Sequence, residues 1–130
     1  MLSRRQILAA GAFATALALV PAVAGTRTNY SAAAFASAQK AGKPILIEVH
    51  APWCPTCKAQ TPILSKLEGE PRFANLNVFH VDFDSQKDVL KALNVQKQST
   101  LIVFKGGKET GRSTGATDPV SIEELLEKSL

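Results

Sequence analysis

Cysteine is scarce: the 130 residues contain two, with one tryptophan, one tyrosine and one methionine. Two cysteines cannot make a four-cysteine zinc site within one chain. The 15 basic and 11 acidic residues are well mixed, and no basic stripe interleaved with aromatics occurs, so composition gives no support for nucleic-acid binding. Internal repeats and low-complexity linkers are absent beyond an alanine-rich start. This length accommodates one domain with a modest core.

The apolar run Ile7 to Val20 holds 14 residues, short of the ~20 that span a bilayer comfortably. It follows Arg4 and Arg5 and precedes the small-x-small site Ala22-Val23-Ala24. Residues 1–24 therefore read as a cleavable export signal, leaving residues 25–130 as the domain. Ser3-Arg4-Arg5-Gln6-Ile7-Leu8 resembles a twin-arginine signal. An ordinary secretory leader and an uncleaved anchor are the alternatives. Cleavage before Gly25 lowers the formal charge from +4 to +2 by removing the two arginines. The expected location is a bacterial periplasm, without stable membrane insertion once the signal is gone.

Both cysteines and the tryptophan fall in Trp53-Cys54-Pro55-Thr56-Cys57-Lys58. Ahead lies Ile45-Leu46-Ile47-Glu48-Val49-His50, apolar and largely β-branched, which predicts a buried strand. Behind, Ala59, Ile63, Leu64 and Leu67 recur at helical spacing. The cysteines thus occupy a strand-to-helix junction, where residues three apart share a face with Cβ atoms roughly 5–6 Å apart. Free N–H groups and the helix dipole favour a thiolate there. Pro55 suits the first turn, which needs no N–H from it. Cys54 is the expected nucleophile and Cys57 the resolving thiol. A structural disulfide is the plainer reading for an exported chain, but so short a loop removes little chain entropy.

Elsewhere, Thr26 to Tyr30 reads as a polar lead-in, and Ser31 caps a helix over Ala32 to Lys40 anchored by Phe35. Gly42 ends it. Pro62 falls inside the helical pattern after Cys57, where it kinks a helix and frees a carbonyl. Glu68 to Asn75 reads as helix end and loop, and Asn77 to Phe83 as a strand. Asp84-Ser85 is the expected cap of a helix Gln86 to Leu93. Leu101 to Phe104 forms a strand, Gly106-Gly107 a hairpin turn into Glu109 to Ser113. Asp118-Pro119 opens a last helix that buries Ile122, Leu125 and Leu126. This order predicts an α/β fold, a single domain with a central mixed sheet flanked by helices.

From about Ser31 to Leu130 the sequence resembles thioredoxin. The specific part is Ile45 to Pro62, with Trp-Cys-x-x-Cys-Lys and a proline five residues after the second cysteine; Leu101-Ile-Val-Phe-Lys-Gly-Gly and Gly115 are weaker matches. The resemblance implies a thiol–disulfide oxidoreductase with Cys54 and Cys57 as its redox pair, no cofactor beyond that pair and no bound metal. It implies protein disulfides as substrates, and Trp53, Pro55, Thr56, Gln98, Ser99 and Thr100 as the surface that meets them. Glu48 stands at the family's buried acidic position, where desolvation would raise its pKa. There it could take the Cys57 proton through a water. His80 aligns with that acid's basic partner, and His50 replaces an aromatic near the site; either is a possible modulator, or merely a strand histidine. The family's usual N-terminal strand has little room here.

Two departures stand out. Pro-Thr replaces Gly-Pro between the cysteines, and Ser99 stands where the family has a cis-proline. A cis bond before a non-proline residue costs about 2.5–4 kcal/mol, so Gln98–Ser99 is expected trans or strained. The Ser99 hydroxyl is then available to a thiolate, or the space to a metal or cluster. Reduction is the preferred direction, which in a periplasm requires a membrane thiol-transfer protein as electron donor. A dithiol oxidant or isomerase is the alternative of the same class. The alternative of another class is a non-catalytic module binding a client, or a metal through Cys54, Cys57, His50 and His80.

Overall fold

Strand alternation sets the two faces of the molecule. In the central strand β2 (Pro44–His50), Ile45, Ile47 and Val49 point one way and Leu46 the other, and all four are fully buried. A strand apolar on both faces requires cover on both. The computed structural model describes residue 16 and residues 25–130; the remainder of the expected export signal lies outside the described residues.

The elements in chain order are β1 (Arg27–Asn29), α1 (Ala32–Lys40), β2, α2 (Pro55–Glu68), a 3-10 turn (Pro71–Phe73), β3 (Asn77–Asp82), α3 (Lys87–Ala92), β4 (Thr100–Lys105), β5 (Lys108–Thr114) and α4 (Pro119–Glu127). They form a five-stranded mixed sheet in the order β1-β3-β2-β4-β5. β3 runs parallel to β1 and β2, and β4 antiparallel to β2 and β5. One face buries Ile45, Ile47, Phe79 and Ile102 beneath α1 and α3. Phe35 of α1 anchors it, with ring centroids 5.9 Å from Phe79 and 5.1 Å from Phe104, both edge-on. The other face buries Leu46, Val78, Leu101 and Val103 beneath Leu64 and Leu67 of α2 and Ile122, Leu125 and Leu126 of α4.

Local signals explain the boundaries. Ser31 Oγ accepts from Ala34 N at 3.1 Å, and Asp118 accepts from Ser121 N at 2.9 Å, each capping its helix. Gly42 leaves α1 at φ +72°, a conformation that disfavours side chains. A Cβ on Gly111 in β5 would stand 2.8 Å from Leu125 Cδ1, so this glycine lets α4 close on the sheet.

Three expectations are corrected. The polar lead-in contains a strand after all: Arg27 to Asn29 pair with Val78 to His80. All three residues are exposed, so no apolar alternation announces it. The helix expected over Gln86 to Leu93 is shorter, and Asp84 does not cap it. Instead Asp82 turns the chain by accepting from Asp84 N at 2.8 Å, and α3 starts after Gln86 without a side-chain cap. In α2, Ala59 is exposed, and Gln60 takes the buried place beside Cys57, Leu64 and Leu67.

Candidate active site

β2 ends at His50, and the turn after it delivers Cys54 to the N-cap of α2. Cys54 N donates to Ala51 O at 3.1 Å, and Pro55 occupies the first turn of the helix. Cys57 N donates to Cys54 Sγ at 3.1 Å, so the sulfur itself caps the helix. A thiolate in that place accepts from a helix-end N–H and faces the positive end of the dipole. Both thiols are free and almost fully buried.

Their titrations are driven apart. Burial pushes the Cys54 thiol up, but hydrogen bonds from the Cys57 side chain, Ser99, the Cys57 amide and Gln98 outweigh it, and the net direction is down. Burial pushes Cys57 up, and its hydrogen bond with Cys54 adds to the rise; Ser99 and the Ala51 backbone only oppose it. Cys54 is thus the more readily ionised of the two sulfurs.

Ser99 lies directly against this pair. Its Oγ is 3.1 Å from Cys54 Sγ and 3.0 Å from Cys57 Sγ. No peptide bond is cis among the described residues, and Ser99 adopts φ +61°, which is uncommon for a residue with a side chain. Its backbone is tied on both sides: Ser99 N donates to Val49 O at 2.9 Å, and Ser99 O accepts from Gly115 N at 3.0 Å. The buried Gln60 amide also donates to Ser99 O at 3.2 Å and to Ala116 O at 2.8 Å. Sequence reading missed Gln60. The available signal was a polar residue three positions after Cys57 and four before Leu64, inside the buried stripe of α2.

The other expected surface residues flank Cys54 and Ser99 in the chain. Trp53 is 57% exposed. Its indole N–H donates to the Asp84 carboxylate at 3.0 Å, and its ring meets Phe83 edge-on at 6.3 Å. The indole is thus fixed yet open to a partner. Pro55 is exposed, Thr56 and Gln98 are half-buried, and Thr100 is buried. Thr100 Oγ1 donates to Lys97 O at 2.7 Å, closing the loop that carries Gln98 and Ser99.

Glu48 is 2% exposed and ion-paired with Arg27, which also holds Glu68 at 2.6 Å. This arginine, also missed in the sequence, occupies the place expected of His80 as Glu48's basic partner. His80 is in register with Glu48 on the neighbouring strand, but its ring faces His50, 5.2 Å away between centroids. The hydrogen bonds that lower Cys54 come from Cys57, Ser99 and Gln98 rather than from His50. Among the described residues, no group of three His, Cys, Asp or Glu is placed to hold a metal ion.

Comparison with known proteins gives the same reading. The family model described as Thioredoxin matches residues 26–128. A thioredoxin of Chlamydia trachomatis is 38% identical over 84 residues, covering 65% of this chain and 80% of that protein. Thioredoxin-2 of Saccharomyces cerevisiae is 32% identical over 97 residues, covering 74% and 90%. The crystal structure of Trxlp from Edwardsiella tarda EIB202 superposes with a TM-score of 0.76 at 44% identity, over 78% of this chain and 98% of that one.

Proposed function

From the premise that the chain belongs to the thioredoxin family, as a thiol–disulfide oxidoreductase with a CxxC pair, we propose that it reduces protein disulfides in a bacterial periplasm. The carrying observation is the placement of two free thiols on the first turn of α2, with Cys54 Sγ capping the helix; the reductive direction is proposed from the overall match to thioredoxin. The Cys54 thiolate attacks one sulfur of a substrate disulfide; a Cys54–substrate disulfide forms, and the other substrate sulfur leaves as a thiolate that takes a proton. Cys57 then gives its proton to solvent and attacks Cys54 Sγ. The Cys54–Cys57 bond forms, the bond to substrate breaks, and the second substrate sulfur leaves and is protonated. Two electrons and two protons have passed to the substrate, and the enzyme is oxidised.

Return to the dithiol requires an electron source. The periplasm is kept oxidising, so a membrane thiol-transfer protein is the proposed donor. The location rests on the export signal read in residues 1–24. Trp53 and the Gln98–Thr100 loop form the proposed substrate surface. A second reading, dithiol oxidant or isomerase, is favoured by the hydrogen bonds that stabilise reduced Cys54, because they raise the potential.

The reduction potential, measured by equilibration with glutathione buffers, tests the direction. A value near the roughly −270 mV of thioredoxin, with insulin-disulfide reduction, supports the reductase. A value approaching the roughly −120 mV of a strong oxidant, without insulin reduction, overturns it in favour of the second reading. Cell fractionation, with an intact mass beginning at Gly25, tests location and cleavage.

A further inference from the structure

A hydroxyl within hydrogen-bond distance of both redox sulfurs has a definite proton inventory. It holds one hydrogen and can donate to only one sulfur at a time. Its lone pairs remain free to accept from the other. The hydroxyl can therefore join the Cys57 side chain and amide as a donor to Cys54 Sγ, 3.1 Å away, with its Oγ 3.0 Å from Cys57 Sγ. This set of donors points at Cys54. Its geometry depends on a serine held at φ +61°, and the side chain that shares that serine's carbonyl with Gly115 N is Gln60, itself 1% exposed.

We propose that Ser99 is a catalytic residue whose hydroxyl donates to the Cys54 sulfur, and that Gln60 is the positioning residue that fixes this hydroxyl between the two cysteines. The inference rests on the thiol–disulfide reading above and adds a chemical role for the residue at the cis-proline position. The Gln60 amide has two hydrogens, and each is committed, one to Ser99 O and one to Ala116 O. It therefore ties α2, which carries the cysteines, to the Ser99 loop and to the segment before α4. With Val49 O and Gly115 N fixing the serine backbone, Oγ has little freedom except rotation of its own side chain. Hydrogen bonds to a charged, buried group are among the stronger ones, so the hydroxyl selectively stabilises the reduced, ionised state.

The test uses four chains: wild type, Ser99→Ala, Ser99→Gly and Gln60→Met. Ala and Gly both remove the hydroxyl, but Gly relieves the positive φ while Ala keeps it. The readouts are the pH dependence of Cys54 alkylation and the equilibrium constant with glutathione. Both serine variants are expected to raise the Cys54 pKa by about one unit and to shift the equilibrium about tenfold toward the disulfide, which is about 30 mV for two electrons. Gln60→Met is expected to move both in the same direction by less. Combined with Ser99→Gly it should add nothing further, because it acts through the same hydroxyl.

Serine variants indistinguishable from wild type in both readouts overturn the role of the hydroxyl. Opposite shifts in Ala and Gly also overturn it, since backbone conformation would then be the cause. Additive effects of Gln60→Met and Ser99→Gly overturn the positioning role. If wild type itself forms no Cys54–Cys57 disulfide in glutathione buffers, the oxidoreductase reading fails and this inference fails with it. That result is distinct from one in which wild type cycles and the variants match it.

Discussion

At the residue scale, the chemistry lies in the inequality of two cysteines three positions apart. Cys54 accepts from helix-end and side-chain donors, whereas Cys57 is held protonated by burial and by its bond to Cys54. The order of attack follows. Cys57→Ser should accumulate mixed disulfides through Cys54, because the resolving thiol is gone, and Cys54→Ser should trap almost nothing. Mass spectrometry of chains recovered from a disulfide-bearing substrate reads this directly, and equal trapping by both would reverse the assignment. Alkylation of the reduced wild-type chain gives a second check. An acid whose pKa is lowered is ionised at lower pH, so modification of Cys54 should follow a titration with its midpoint below the ordinary 9.0, while Cys57 reacts only at higher pH. Of this site, the cysteine pair and its place at a helix start were legible in the sequence, because a strand, a CxxC turn and a helix follow one another without interruption. Ser99 was legible as a departure, but its contact with both sulfurs was not, since 42 and 45 positions separate it from them. Gln60 and Arg27 were missed because a buried amide and an edge arginine have the same composition as exposed ones.

At the element scale, capping and burial signals carried most of the fold. The helices starting after Ser31 and Asp118 begin where those side chains can accept from the third following N–H, and β2 to α2 follow a change from strand to helix periodicity. β1 was not legible because it is three exposed residues whose pairing is made by the backbone. The start of α3 was misread because Asp84 is a good cap by type, yet its carboxylate serves the Trp53 indole. α1 is short and presents only Phe35 and Ala38 as buried residues, so its docking depends on one ring. Phe35→Ala removes the edge-on contacts with Phe79 and Phe104 and leaves a cavity, and is expected to cost about 3–5 kcal/mol of stability. Urea denaturation measures it. A loss below about 1 kcal/mol, the range of a surface substitution, would mean that α1 is held by something other than this ring.

At the scale of the whole molecule, the two sheet faces differ in kind. The face under α1 and α3 is apolar at its centre and meets charge only on β5, where Arg112 pairs with Glu109, whereas the face under α2 and α4 passes from Leu46 and Val78 to a cluster of Arg27, Glu48, Glu68, His50 and His80. Arg27 brings the N-terminal edge strand, the centre of the sheet and the end of α2 together. Arg27→Ala strands the buried Glu48 carboxylate and should cost roughly 2 kcal/mol, less than a fully buried pair because the arginine is partly exposed. Urea midpoints should show part of that loss restored in the double variant with Glu48→Gln, and no restoration would mean that the charge of Glu48 is not what Arg27 offsets. The same cluster makes stability depend on pH through His80. Burial pushes its pKa below the ordinary 6.5; the charges of His50 and Arg27 push the same way, and Glu48 and Asp82 oppose them. As pH falls through 6.5, the unfolded chain takes up a proton on this histidine before the folded chain does. Folding stability is therefore greatest above 6.5 and is lost as pH falls toward the lowered folded value. Glu68 runs the other way: burial raises its pKa above the ordinary 4.5 despite Arg27, so it opposes the loss at the acid end. Comparing wild type with His80→Gln isolates the histidine, since Glu68 is common to both. Urea midpoints measured between pH 7.5 and 5 should fall more steeply for wild type than for His80→Gln, and parallel curves would show that the acid sensitivity of this face originates elsewhere than His80.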